Sequence, residues 1–69
     1  SLELQRRFLS DASHEIRTPL TILRGNLEVT LRRERSAEEY RACLETLVDE
    51  VDHLERLAEQ LLWLARADA

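Results

Sequence analysis

The stretch Ser13-His14-Glu15-Ile16-Arg17-Thr18-Pro19-Leu20 sets an imidazole beside a carboxylate and puts a proline little more than a turn later. A neutral imidazole near pH 7 has one ring nitrogen free to act as a nucleophile. On a helix Glu15 is turned about 100° from His14, from where its side chain can reach the other ring nitrogen. A carboxylate there orients the ring and stabilises the cation formed when the first nitrogen is modified. Pro19 has no N–H for the carbonyl of Glu15 and its ring crowds that carbonyl, so a bend is expected beside the reactive group. The zinc-protease pattern needs a second histidine four residues after His14, and Thr18 stands there instead. His53, the only other histidine, lies far along the chain among Asp49, Arg56 and Gln60. No metal site and no bound cofactor are expected, and there is no glycine-rich phosphate loop, serine–base pair or Cys–His pair.

The elements that must carry this stretch are helices. Leu9, Ala12, Ile16, Leu20, Leu23, Leu27 and Leu31 recur at spacings of three and four, which predicts one amphipathic helix over about residues 2–33 with a continuous buried stripe. Relative to His14, the apolar Ala12, Ile16, Leu23 and Leu27 lie about 140° to 180° away, whereas Ser10, Thr18 and Thr21 lie within about 40°. His14 is therefore expected to face solvent, with Pro19 toward the buried side. Arg32, Arg33 and Arg35 suit the negative end of a helix dipole. Ser36-Ala37-Glu38-Glu39 reads as a capping box, so a turn over about 34–36 and a second helix over about 37–67 are predicted.

In that second helix Tyr40, Leu44, Leu47, Val51, Leu54, Ala58, Leu61 and Ala65 follow a near-heptad, and Val48, Leu57 and Leu62 widen the seam. The reading is all-α: an antiparallel helical hairpin, a single domain over 1–69. Each helix carries more apolar face than one partner can cover, so two hairpins are expected to homodimerise into a four-helix bundle. Trp63 reads as bundle core in preference to an interface anchor, and Cys43 as a small buried hydrophobe. Acid-first pairs four apart, Glu3 with Arg7, Glu28 with Arg32 and Asp52 with Arg56, are expected on the exposed faces.

Composition narrows the partners. Of the 69 residues 43% are apolar and 35% charged, with one Gly and one Pro, which favours long helices with few turns; the net charge is -4. The densest basic run is interrupted by Glu34, so nucleic acid is not an expected ligand. One cysteine allows no intrachain disulfide. No run of about 18 apolar residues occurs, so no direct membrane insertion is expected. The chain starts without Met and already in helical pattern, as a piece of a longer protein would.

Phe8-Leu9-Ser10-Asp11-Ala12-Ser13-His14-Glu15-Ile16-Arg17-Thr18-Pro19-Leu20-Thr21 resembles the H-box of the dimerization and histidine phosphotransfer domain of bacterial two-component sensor histidine kinases. The resemblance covers nearly the whole chain. It implies that His14 is the phosphoacceptor, attacking the γ-phosphate of ATP, and that Glu15 takes up or holds the proton on the other ring nitrogen. Thr18 falls where this class holds a water for dephosphorylating the partner regulator, and Pro19 matches the helix-bending proline. Arg17 matches the basic residue, assigned phosphate or charge pairing. The implied partners are a second copy of the chain, an ATP-binding catalytic domain that brings ATP and Mg²⁺, and a response-regulator receiver domain.

The resemblance further implies a cytoplasmic domain of a kinase anchored in the bacterial inner membrane. This piece would be inactive alone, since it has none of the boxes that hold nucleotide. Two alternatives stay open: a degenerate, purely structural dimeric hairpin, and a stand-alone histidine phosphotransfer module.

Overall fold

The computed structural model describes residues 1–68; Ala69, which the sequence reading places at the end of the domain, lies outside the described residues. Two helices, α1 (Leu2–Thr30) and α2 (Ala37–Asp68), pack as a hairpin with principal dimensions of 52 × 18 × 9 Å. No strand occurs among the described residues.

α1 runs unbroken through Pro19, which is its one buried residue. An interior proline costs a helix roughly 3 kcal/mol, but here the ring lies against α2 and its burial offsets part of that cost. Opposite it, Leu57 is the buried apolar residue of α2, 7% exposed; burying a leucine contributes about 1.5–3 kcal/mol.

The seam between the helices is narrower than the apolar pattern suggests. Phe8, Ala12, Ile16, Pro19, Leu23, Asn26 and Thr30 of α1 are buried or half-buried. On α2 the same holds for Cys43, Leu47, Glu50, Leu54, Leu57 and Leu61, spaced four and three in alternation. The expected continuous stripe of α1 is thus split: Leu9, Leu20, Leu27 and Leu31 remain exposed, Leu31 by 80%. On α2, Leu44, Val48, Val51 and Leu62 are likewise exposed. Helix phase turns the α1 set about 80° and the α2 set about 105° from its own seam, and in an antiparallel pair both fall on one side of the hairpin. Trp63, expected in the core of the paired bundle, is 67% exposed on the single hairpin, because two positions past the seam residue Leu61 means a rotation of about 200°.

The closed end is held by polar groups. α1 stops at Thr30 where Arg33 was expected, because Leu31 and Arg32 curl in, with Arg32 N–H donating to the Val29 carbonyl at 3.2 Å. Arg35 reaches back to the helix end: Nη2 donates to the Val29 carbonyl at 2.7 Å and Nε to that of Thr30 at 3.5 Å. The last carbonyls of a helix have no intrahelical donors, so this arginine satisfies two of them and places its charge at the negative end of the dipole. The Arg35 N–H donates to the Tyr40 hydroxyl at 3.1 Å. Thr30 Oγ1 and Cys43 Sγ lie 3.1 Å apart across the hairpin.

The capping box is formed. Glu39 N–H donates to Ser36 Oγ at 3.1 Å and Ser36 N–H donates to Glu39 Oε1 at 3.2 Å. The backbone N–H of Ser36, and after it the Ser36 hydroxyl, lower the carboxyl pKa of Glu39 by donating to it, with smaller contributions from Arg33 and Arg35. The surface ion pairs found are Arg24–Glu28 at 2.9 Å, Arg41–Glu45 at 3.2 Å and Arg35–Glu39 at 3.8 Å. All are base-first, unlike the pairs expected. Glu28 turns back to Arg24 because Arg32 lies beyond the end of α1.

Candidate functional site

His14 is exposed on α1, as helix phase requires of a residue about 140° from buried Pro19. Glu15 and Thr18 are exposed as well. Thr18 Oγ1 donates to the His14 carbonyl at 3.3 Å, the back-bonding geometry common for threonine on a helix. That bond leaves both lone pairs of the hydroxyl free to accept. No ion pair or side-chain hydrogen bond engages the side chain of His14, Glu15 or Arg17 among the described residues. The imidazole is open to an incoming group, and Glu15 is free to turn toward it.

Two hollows flank this turn of α1. A shallow one is lined by His14, Arg17, Thr18, Thr21 and Ile22, so the imidazole, the arginine and two hydroxyls share a surface. The second lies between the helices, with Pro19, Ile22 and Leu57 lining it as apolar groups. Glu15 and Thr18 from α1 and Glu50 and His53 from α2 contribute the polar ones. Thr18 belongs to both hollows and connects them.

Such an arrangement supports nucleophilic attack by a solvent-facing imidazole on a group brought in from outside, since nothing within the hairpin encloses a substrate. No group of three or more metal-ligating side chains is found among the described residues.

Over residues 4–69 the chain matches the family described as the His Kinase A (phospho-acceptor) domain. It belongs to that family. Among curated proteins it is 44% identical over 62 residues to the sensor protein IrlS of Burkholderia pseudomallei and 42% identical over 62 residues to the sensor histidine kinase HprS of Escherichia coli. With the sensor protein kinase PmrB of Pseudomonas aeruginosa it shares 46% over 68 residues. These alignments take in 90%, 90% and 99% of this chain but 13%, 14% and 14% of the relatives, so the chain spans about one-seventh of their length. No solved structure matches.

Within this phospho-acceptor domain the structure brings His14, Glu15, Arg17, Thr18 and Pro19 to two successive turns of one helix. It adds what the sequence reading left out: His53, placed there far along the chain from the reactive stretch, and Glu50 line the same interhelical hollow as Glu15 and Thr18. The available signal was the antiparallel register, which carries the middle of α2 past Pro19 once the turn is placed at 31–36. Among the described residues no helix is long and apolar enough to cross a membrane.

Proposed function

We propose that this domain is the phosphoacceptor and dimerization part of a two-component sensor histidine kinase. The observation that carries the reading is an exposed, unengaged His14, flanked by Glu15 and Thr18, in a chain of the phospho-acceptor family. A free ring nitrogen of His14 attacks the γ-phosphorus of ATP held by a separate catalytic domain with Mg²⁺; the N–P bond forms as the bond to the ADP oxygen breaks. The ring becomes a cation, and Glu15 holds or takes up the proton on the other nitrogen. Phosphoryl transfer depends on in-line placement and charge stabilisation, so one accessible nucleophile with an orienting acid suffices from this side. The phosphoryl group then passes to an aspartate of a receiver domain.

Thr18 serves the reverse traffic, holding a water in line with the regulator's phosphoaspartate through its free lone pairs. Arg17, on the His14 face, pairs with phosphate or a partner's charge. Pro19 is the joint through which movement of α1 reaches His14, the helical donor to the Glu15 carbonyl being absent there. In the full-length kinase Thr18→Ala is expected to slow regulator dephosphorylation at least about tenfold, far more than it slows labelling of His14. Equal loss of both would reject the water-holding role.

The exposed flank of Leu20, Leu27, Leu31, Leu44, Val48, Val51 and Leu62 is where two hairpins pair into a four-helix bundle. Sedimentation at micromolar concentration should give twice the chain mass, and a stable monomer would contradict the pairing. The parent is expected to be anchored in the inner membrane, with this domain on the cytoplasmic side.

A further inference from the structure

Glu50 is the charged residue on the α2 side of the seam: it follows Cys43 and Leu47 and precedes Leu54, Leu57 and Leu61 at the same spacings of three and four, and it is half-buried with them. A carboxylate at such a position is unfavourable unless it is paired. No hydrogen bond or ion pair engages the Glu50 side chain among the described residues. Its own helix supplies no lysine or arginine within reach, since Thr46, Leu47, His53 and Leu54 stand three and four positions away.

Glu50 and Glu15 line the same hollow. Helix phase places Glu15 between the α1 seam, about 55° away, and His14, 100° away on the other side, so its side chain leans either inward over α2 or outward toward the imidazole. Inward, it meets the carboxylate of Glu50. One turn earlier on α1 stands Asp11, and like charges four apart repel as well. Outward, it meets the ring that becomes a cation when its free nitrogen takes up the phosphoryl group. The balance of charge around Glu15 therefore favours the outward lean.

We propose that Glu50 is a positioning residue for the phosphorylation of His14: its charge, held in the seam without a counter-ion, keeps the Glu15 carboxylate out of the hollow and turned toward the imidazole. His14 does not line the hollow that Glu50 faces, so Glu50 acts through Glu15. This rests on the reading of Glu15 as the acid that holds the proton on the second ring nitrogen. Glu50→Arg reverses the effect, drawing Glu15 inward as an ion-pair partner.

The test is the rate of His14 labelling by the full-length kinase at saturating ATP and pH 8, where imidazole side chains are mostly unprotonated. Glu50→Arg should lower the rate about five-fold, the size of one unit-charge interaction in wet surroundings, with the KM for ATP unchanged. Glu50→Gln, which removes the repulsion without supplying a cation, should lower it about two-fold. Glu50→Asp, which keeps the charge, should label at the wild-type rate. Circular dichroism establishes that the helices are intact, and where Glu50→Arg loses helix the near-isosteric Glu50→Gln carries the comparison. In a Glu15→Gln background neither substitution should slow labelling further. Wild-type labelling by both Glu50→Arg and Glu50→Gln, or the same fold loss with Glu15→Gln as without it, would overturn the proposal. Glu15→Gln alone separates the two readings. Wild-type labelling by Glu15→Gln rejects the role of Glu15, whereas slow labelling by Glu15→Gln beside wild-type labelling by the Glu50 variants rejects only the role of Glu50.

Discussion

The closed end of the hairpin and its middle, around His14, are built from the same kinds of residue and use them in opposite ways. At the closed end, Arg35, Ser36, Glu39, Tyr40, Thr30 and Cys43 spend their polar groups on one another and on helix termini. Around His14 and Pro19 the helices meet through apolar groups, and no hydrogen bond or ion pair crosses between them among the described residues outside the closed end. His14, Glu15 and Arg17 keep their side chains free. Polar groups at the closed end are committed to structure, whereas those of His14, Glu15 and Arg17 on the middle of α1 are left unengaged.

The sharpest way to break this contrast is at Arg35, whose side chain is only 16% exposed. Arg35→Ala removes the guanidinium from the Val29 and Thr30 carbonyls, leaving Val29 the Arg32 N–H alone, and is expected to cost about 2 kcal/mol, the scale of a hydrogen bond to a charged group. Unfolding should be compared at one chain concentration, since pairing of hairpins would make the midpoint concentration-dependent. A change under about 0.5 kcal/mol, the level of an ordinary surface substitution, would mean that the turn does not depend on this arginine.

A smaller effect is expected at Glu39. Its folded-state pKa is lowered from 4.5, chiefly by the hydrogen bonds to Ser36. A depressed carboxyl contributes stability that is present above the unfolded value and is lost as pH falls through the folded one. Stability should therefore decline below about pH 4.5 in the native chain and decline less in Glu39→Gln. Identical acid limbs for the two chains would remove the capping carboxylate from the account.

The same contrast explains what the sequence disclosed. Helix content, the capping box at Ser36 and Glu39, and the opposite facing of His14 and Pro19 follow from local spacing, because each depends on one helix alone. The end of α1 did not, since it is decided by Arg35 reaching back to Val29 and Thr30, a contact outside any periodic pattern. The seam of α2 toward α1, on which Leu47, Leu54, Leu57 and Leu61 lie, was legible only in part for a related reason. Counting apolar residues gave Tyr40, Leu44 and Val51 the same weight as Leu57, and polar Glu50 no weight, although Glu50 and Leu57 face α1 while Leu44 and Val51 do not. His53 joined the candidate site only through the antiparallel register, which the turn fixes and the spacing of either helix does not contain.

Exchange of a single exposed side chain tests the central claim most directly. The chain should be incubated with an ATP-binding domain of the same kinase and γ-labelled ATP, beside its His14→Gln variant. Acid-labile label is expected on the native chain and none on the variant, with unfolding unchanged to within about 0.5 kcal/mol because His14 is an exposed surface position. Label persisting on His14→Gln would contradict it.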